Sequence, residues 1–261
     1  MPAAAKKTAG GYAVDLNLDF GEDYGVWRLG PGEEILDQVT SANLACGFHA
    51  GDPQVMRRAI EACARRGVAV GAHPGYPDRR GFGRRPWPAP AAEVVDDVLY
   101  QAGALAALAR TAGVKLGHLK LHGALYWRAA QDAELARALV RSLAAWGGAA
   151  AVYTPEGSAL AAAAAAAGLR VVREAFADRR YRPDGGLVPQ GEPGAFLDPA
   201  AAARQAVQIA REGRLRAQGG AELKLAADSI GLHADAPGAL ETAARVRRAL
   251  AAAGVALASP A

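Results

Sequence analysis

The feature that most constrains the fold of this chain is a regular alternation of short apolar runs with longer segments of helical periodicity. Such an alternation is typical of α/β folds built on parallel strands. Seven apolar runs predict strands, and together they favour one seven-stranded β/α barrel of the TIM-like kind. The predicted strands cover residues 12–20, 39–46, 68–72, 114–121, 151–153, 169–173 and 229–233.

Helix boundaries are marked by short polar signals. Asp52 followed by Pro53 is an N-cap and first-turn pair, and Gly67 is placed to end the same helix. The pairs Thr154-Pro155 and Asp198-Pro199 predict two further helix starts, and residues 237–252 form a last predicted helix. Residues 178–194 are rich in Gly, Pro and Arg, which favours a hairpin or flap.

Length and composition predict one soluble domain. The 261 residues include no linker long enough to divide the chain, so we expect a disordered tail over residues 1–11 and a single barrel domain over residues 12–261. The tail lacks the apolar core of a signal peptide, and no run of about 18 strongly apolar residues follows. Cys46 and Cys63 form no Cys-x-x-Cys motif. A cytoplasmic location is expected.

The charge pattern argues against a nucleic-acid partner. Thirty basic residues against 26 acidic ones leave a formal charge of only +4, and the basic residues form no long run. No strip of interleaved basic and aromatic residues is present for stacking bases. Neither a nucleic acid nor a membrane is expected as a partner.

Polar residues gather where the predicted strands end, which is where parallel α/β folds place their sites. In the first strand Asp15, Asn17 and Asp19 share one face because side chains alternate. Asp19 is nearest the strand end and is the catalytic candidate. A satisfied internal hydrogen-bond network is the alternative for these residues, above all for Asp15.

The fourth predicted strand repeats this pattern, with His118, Lys120 and His122 on one face. A lysine that points inward needs a counter-charge, which an anionic substrate or a nearby aspartate would supply. His118 lies deeper and is predicted to be a buried, hydrogen-bonded core residue. Four of the five histidines follow strand ends, and this common placement favours a site. These are His49, His73, His122 and His233.

Other candidates have ordinary explanations. Cys46 has no base at a recognised spacing, so we expect a small buried residue. The loop Gly81-Phe82-Gly83-Arg84-Arg85 carries two cations that could bind a carboxylate or phosphate, or it could be a solvated turn. The chain contains neither a Gly-x-x-x-x-Gly-Lys-Ser/Thr loop nor a Gly-x-Gly-x-x-Gly after a strand. If ATP takes part, this chain does not hold it in a P-loop.

Several segments, in order from residue 12 to residue 240, jointly resemble the LamB/YcsF family, the A subunits of ATP-dependent 5-oxoprolinases. Leu121, Trp127 and Ala234 depart from the family pattern beside the presumed site. The segments that carry the resemblance are Asp15-Leu16-Asn17-Leu18-Asp19-Phe20-Gly21-Glu22, Ser41-Ala42-Asn43-Leu44-Ala45-Cys46-Gly47-Phe48-His49-Ala50-Gly51-Asp52-Pro53, Gly71-Ala72-His73-Pro74-Gly75-Tyr76-Pro77-Asp78, Gly81-Phe82-Gly83-Arg84-Arg85, His122-Gly123-Ala124-Leu125-Tyr126, Glu174-Ala175-Phe176-Ala177-Asp178-Arg179, Leu187-Val188-Pro189 and His233-Ala234-Asp235-Ala236-Pro237-Gly238-Ala239.

The resemblance implies a barrel related to glycoside hydrolases and polysaccharide deacetylases. It implies ATP-dependent opening of the lactam of 5-oxo-L-proline to L-glutamate, with ATP as co-substrate and subunits B and C as partners. This chain would carry out the lactam-opening step. The resemblance, together with the pattern of polar residues, implies two groups of site residues. The catalytic candidates are Asp19, His49, His73, Lys120 and His122, and the substrate-binding candidates are Asn17, Asn43, Arg84, Glu174, His233 and Asp235.

Two other classes of function stay open from the sequence. A divalent metal held by Asp19 and histidines would make the chain a metal-dependent amide hydrolase, although no compact ligand motif indicates one. The histidines of that alternative are His49, His73, His122 and His233. The chain could also be a binding subunit that delivers 5-oxoproline without turnover.

Overall fold

The computed structural model describes residues 7–8 and 11–260, and side chains from residue 12. Most of the predicted tail therefore lies outside the described residues, although Lys7–Thr8 pairs antiparallel with Gly11 and Tyr12. In chain order the elements are β1 (Lys7–Thr8), β2 (Gly11–Phe20), a 3-10 helix (Glu33–Gln38), β3 (Ser41–Ala45), α1 (Pro53–Arg66), β4 (Ala69–His73), α2 (Ala91–Thr111), β5 (Leu116–Lys120), α3 (Gly123–Gln131), α4 (Ala133–Trp146), β6 (Ala151–Thr154), α5 (Ala159–Ala166), β7 (Arg170–Phe176), α6 (Pro199–Glu212), β8 (Arg214–Arg216), a short 3-10 turn (Gln218–Gly220), β9 (Glu222–Lys224), β10 (Ser229–Leu232), α7 (Ala239–Ala252) and β11 (Val255–Leu257).

All seven predicted strands are present, as β2, β3, β4, β5, β6, β7 and β10. Their ends agree with the prediction to within three residues. The largest difference is in β7, which continues to Phe176 rather than ending at residue 173 and so includes Glu174. The alternation in apolar character thus located the strands, and the polar residues near their ends obscured the boundaries.

The chain divides into two compact units, which we call the central and terminal units. The central unit contains residues 19–29 and 41–172. Strands β3, β4, β5 and β6 pair there in parallel and in sequence order. The pairing of β3 with β4 sets Asn43 beside Gly71 and Ala45 beside His73. Helices α1 to α5 belong to this unit, so the predicted alternation of strand and helix is confirmed there.

The terminal unit contains the remaining described residues up to 18, residues 30–40 and residues 173–260. Strand β10 pairs in parallel with both β2 and β7, so Ser229 lies between Asp15 and Glu174. Helices α6 and α7 pack against each other. The predicted hairpin at residues 178–194 is represented by two antiparallel bridges, Arg179 with Phe196 and Tyr181 with Leu187.

The start of one helix and two short elements differ from the sequence prediction. Thr154-Pro155 does not start a helix; Ser158 caps α5 instead and also hydrogen-bonds Thr154. Gly157 has a positive φ of 73°, which turns the chain between the strand and the helix. The helix α3 and the β8–β9 hairpin were not predicted, because short segments give few repeats of their period.

Within the residues that the structure describes, no helix has the length and apolar character of a membrane span.

Asp52 caps α1 as predicted, and its removal should destabilise the fold. Its Oδ1 accepts from the backbone N–H groups of Gln54 and Val55 at 2.8 and 2.9 Å, and its Oδ2 accepts from Gly25 at 2.7 Å. We expect Asp52→Ala to lower the free energy of unfolding by about 1 to 2 kcal/mol, measured by urea denaturation. Asp52→Asn should retain most of the stability because it keeps the capping oxygen. Equal losses in both variants would assign the effect to the bond with Gly25 instead.

Candidate functional site

The predicted catalytic residues of the central unit come together at the C-terminal ends of its strands. Asp19 lies near the end of β2, His73 ends β4 and Lys120 ends β5. His49 and His122 follow β3 and β5. All five side chains are buried, with relative exposures between 1% and 5%. The distances that follow show how closely these side chains lie to one another.

Asp19 connects the polar residues of this site. Its Oδ1 accepts from Lys120 Nζ at 3.0 Å and from Asn43 Nδ2 at 2.9 Å, and it lies 3.4 Å from His73 Nε2. The ammonium of Lys120 and the carboxylate of Asp19 offset each other's charge in a region that excludes water, where ionic contacts are strong. The counter-charge expected for Lys120 is therefore an aspartate, 101 residues away in the chain.

His118 contacts the side chain of Asn43, which in turn donates to Asp19. Its Nε2 lies 2.7 Å from Asn43 Oδ1, and that oxygen can only accept, so Nε2 carries the proton. Burial lowers the pKa of His118 to about 3, with the nearby charge of Lys120 as a second cause. A Cβ on Gly71 would lie 2.1 Å from the His118 ring, so only glycine fits there. The prediction of a buried, hydrogen-bonded histidine is confirmed, and it positions Asn43.

Backbone carbonyls fix the protonation pattern of two further histidines. His73 Nδ1 lies 2.8 Å from the carbonyl oxygen of Lys120, and His122 Nε2 lies 2.7 Å from that of Phe82. A carbonyl oxygen only accepts, so each of these nitrogens donates. The remaining nitrogens, His73 Nε2 and His122 Nδ1, face each other at 3.0 Å.

His49 and Glu22 complete a group that we call the histidine cluster, formed by Glu22, His49, His73 and His122. The rings of His49 and His122 stack with centroids 3.7 Å apart. Glu22 Oε1 lies 3.4 Å from His49 Nε2 and 3.8 Å from His122 Nδ1. Burial first, and then the neighbouring histidines, hold the pKa values of His49 and His122 well below the usual value. Both rings are therefore neutral at pH 7.

The loop predicted to carry substrate-binding cations also shapes the cluster. Phe82, at φ 53°, is the one non-glycine residue with positive φ in the described part of the chain, and this strained conformation directs its carbonyl to His122. A Cβ on Gly83 would lie 2.9 Å from both His49 and His122. Arg85 pairs with Asp78, whereas Arg84 lies 4.6 Å over the Phe82 ring. Of the two cations, Arg84 is the one beside the site.

The histidine cluster is also the candidate metal site. One donor atom from each of its four residues lies within 4.8 Å of the others, and all four residues are buried. The sequence predicted the three histidines but not Glu22, which took part only in the motif Asp19-Phe20-Gly21-Glu22. Its position three residues past Asp19, beyond the strand end, was the available signal. The other residues proposed from sequence as metal ligands, Asp19 and His233, are not members of this cluster.

Two of the predicted substrate-binding residues, Asn17 and Glu174, bond to each other in the terminal unit. Asn17 Nδ2 donates to Glu174 Oε1 and to Ser229 Oγ, both at 2.8 Å. Ser229 donates to Asp15 at 2.5 Å, and Thr40 donates to the other oxygen of Asp15 at 2.6 Å. Asp15 is thus part of the satisfied internal network that was its alternative explanation.

His233 forms a dyad with Asp178 in the same unit. His233 Nδ1 donates to Asp178 Oδ1 at 3.0 Å, and its backbone N–H donates to Oδ2 at 2.7 Å. This bond leaves Nε2 as the acceptor nitrogen if the ring is neutral. Asp235, two residues further on, is half-buried.

Cys46 is confirmed as a small buried residue. Burial raises the pKa of its thiol to about 12, although a backbone hydrogen bond acts in the opposite direction. A thiol at that pKa is protonated at pH 7 and is a poor nucleophile. The chemistry of the central unit therefore belongs to Asp19, Lys120 and the histidines.

Parallel strands with helices between them, and a buried carboxylate, lysine and histidines at the strand ends, define an α/β protein of the barrel-enzyme type. Residues 14–261 match the LamB/YcsF family. The chain belongs to the LamB/YcsF family.

Characterised relatives are similar over nearly the whole chain. The 5-oxoprolinase A subunit from Symbiobacterium thermophilum is 51% identical over 248 residues, covering 95% of each chain. The 5-oxoprolinase A subunit from Methylococcus capsulatus is 49% identical and covers 94% of this chain and 95% of its own. The crystal structure of a lactam utilization protein from Thermus thermophilus has a TM-score of 0.87 at 45% identity, covering 94% of this chain and 99% of that one. This similarity confirms the predicted fold class, a seven-stranded β/α barrel.

Proposed function

We propose that this chain is the lactam-opening subunit of a multi-subunit 5-oxoprolinase, which converts 5-oxo-L-proline to L-glutamate at the expense of ATP. The observation that carries the proposal is the buried contact of Asp19 with Lys120 and Asn43, beside His73. Relatives about half identical to this chain are named as A subunits of 5-oxoprolinase. Because ATP is the co-substrate, the cytoplasm is the proposed location.

The chemistry explains why ATP is needed. The amide of an unstrained lactam is a poor electrophile, so water alone attacks it slowly. Transfer of the γ-phosphoryl group of ATP to the amide oxygen releases ADP and gives an imidate that water can attack at the ring carbon. Cleavage of the C–N bond then leaves an acyl phosphate and the free amine, and a second water molecule hydrolyses the acyl phosphate to the carboxylate of glutamate and phosphate. The remaining task is to bind an anionic intermediate and direct the attacking water, which requires a base and a cation rather than a strong nucleophile.

The site has residues suited to each part of this task. Lys120 brings a buried ammonium that favours negative charge on the substrate. Asp19 and His73 would orient and deprotonate the water, since His73 is held in the tautomer whose Nε2 is the acceptor. We assign Asn43 to the positioning of Asp19, and Arg84 to the binding of a carboxylate or phosphate group.

Activity should depend on partner subunits. The sequence contains no P-loop and no dinucleotide-binding glycine motif, so we assign ATP use to subunits B and C. The isolated chain should hydrolyse ATP no faster than buffer, whether or not 5-oxoproline is present. Addition of both partners should produce glutamate and ADP together, as measured by chromatography of one reaction mixture.

Two controls make this test decisive. A mixture of subunits B and C without this chain should form no glutamate, and restoring the chain should restore product in proportion to its concentration. ATP hydrolysis by the pure isolated chain would contradict the assignment. Product formation by B and C alone, with this chain only improving the apparent affinity for substrate, would identify a binding subunit instead of an enzyme.

A further inference from the structure

We propose that the histidine cluster of Glu22, His49, His73 and His122 binds one divalent transition-metal ion of the zinc type. The metal site shares His73 with the proposed lactam site, where His73 Nε2 lies 3.4 Å from Asp19. When this nitrogen binds the ion, Asp19 is the base that deprotonates the attacking water. The proposal goes beyond the proposed lactam chemistry, which does not require a metal.

The first argument comes from the protonation pattern. His73 donates through Nδ1 to the Lys120 carbonyl, and His122 donates through Nε2 to the Phe82 carbonyl. In neutral rings the two nitrogens that face each other at 3.0 Å are then both acceptors. Two lone pairs at this separation repel each other unless a cation lies against them. Histidine ligands of metals characteristically donate their other N–H to a carbonyl or carboxylate, as both rings do here.

The second argument comes from the spacing of the donor atoms. With metal–ligand bonds of about 2.0–2.1 Å, neighbouring ligands of a tetrahedral zinc ion are roughly 3.3 Å apart. The separations in the cluster are 3.0 Å between His73 and His122, 3.4 Å between His49 and Glu22, and 3.8 Å between His122 and Glu22. No donor pair exceeds 4.8 Å. The His49 ring stacks on the His122 ring, so binding also requires the His49 ring to rotate until both lone pairs point at the ion.

The third argument distinguishes a metal ion from a proton. A proton shared by His73 and His122 would satisfy those two nitrogens only. His49 is fully buried, and neither of its ring nitrogens makes a hydrogen bond among the described residues, while Nε2 lies 3.4 Å from Glu22 Oε1. Orphaned buried nitrogens are costly, and coordination would satisfy the one nearest Glu22. A metal ion can take donor atoms from all four side chains at once.

The ligand types point to the class of metal. Three imidazoles and one carboxylate suit zinc, cobalt or nickel, whereas calcium and magnesium prefer a set of oxygens. Glu22 brings a negative charge into the histidine cluster, and a carboxylate ligand suits a dication. The expected complex is therefore a Zn²⁺ ion with three nitrogen ligands and one oxygen ligand.

The test is a titration of the chelator-treated full chain with Co²⁺, which reports its coordination by visible absorption. We expect ligand-field bands of a four-coordinate ion that saturate at one equivalent and disappear when one equivalent of Zn²⁺ is added. Retention of that zinc through gel filtration, measured by elemental analysis, should agree with the optical stoichiometry. Binding is measured without substrate or partners, so the result does not depend on the proposed function.

Matched substitutions identify the ligands. Loss of an outer-shell partner commonly costs 10–100-fold in metal affinity, so Glu22→Gln, which removes a ligand, should weaken Zn²⁺ binding by more than about 100-fold. The control is Glu174→Gln, the same change at a buried carboxylate of the terminal unit, which should bind like the unaltered chain. His49→Gln provides a second ligand variant if Glu22→Gln does not fold.

Absence of the Co²⁺ bands in the unaltered chain overturns the proposal. So does binding that continues beyond one equivalent without saturation, since this indicates surface sites. Equal affinity in Glu174→Gln and in a folded ligand variant overturns the ligand assignment.

Discussion

Asp19→Asn should lower the turnover of the reconstituted complex by about 100-fold or more, with a smaller effect on the Michaelis constant. Asparagine keeps the shape and the oxygen that accepts from Asn43, but it cannot take a proton or stabilise a protonated histidine. A positioned base is commonly worth 10²–10⁴-fold in rate. The measurement is steady-state glutamate formation with subunits B and C in excess.

The same substitution removes the charged partner of a buried lysine, so stability has to be measured beside activity. Breaking a buried ion pair commonly costs about 3–5 kcal/mol, and assays should be run well below the melting temperature of the variant. Asp15→Asn is the matched control, because Asp15 is buried on the same face of β2 and its bonds to Thr40 and Ser229 are structural. It should lose stability but retain turnover within about tenfold. Normal turnover by a folded Asp19→Asn protein would remove Asp19 from the mechanism.

Lys120→Met should reduce kcat/KM by about tenfold to hundredfold. The substitution keeps the length of the side chain but removes the ammonium, and charge-assisted contacts with an anionic substrate are worth roughly 1.5–3 kcal/mol. The buried carboxylate of Asp19 then loses the positive charge beside it, which should also lower the melting temperature. Activity in the reconstituted complex and thermal melting of the isolated chain measure the two effects separately.

A double variant separates catalysis from stability. Asp19→Asn combined with Lys120→Met leaves no unpaired charge from this ion pair, so it should recover much of the melting temperature without recovering activity. Lys115→Met makes the same chemical change at an exposed position just before β5 and should alter neither property. If Lys120→Met alone turns over normally, the lysine is only a structural partner of Asp19.

The sequence predicted the strands and the inward face of two of them because both follow from local periodicity. Leu16 and Leu18 alternate with Asp15, Asn17 and Asp19, and this pattern needs no knowledge of distant contacts. The positions of His49 and His73 were predicted for the same reason, since loops after parallel strands meet at one edge. Helix α1 carried its own signal in Asp52 and Pro53.

Partners within the site could not be predicted, because they come from contacts between distant residues. Lys120 and Asp19 are joined across 101 residues, and His118 and Asn43 across 75. Neither pair has a local pattern. Glu22 lies beyond the strand end, where alternation no longer specifies direction. The carbonyl that fixes His122 depends on the left-handed conformation of Phe82, for which the residue type gave no indication.

Lys120 contributes two groups to the site, and only one of them depends on the identity of the side chain. Its ammonium contacts Asp19, and its backbone carbonyl determines which nitrogen of His73 carries the proton. Replacement by an uncharged residue removes the first contact and leaves the backbone carbonyl of the second in place. The backbone path of β5, and not the identity of residue 120, therefore determines the tautomer of His73. A relative with a different residue at this position would keep the orientation of its histidine while losing the positive charge beside it.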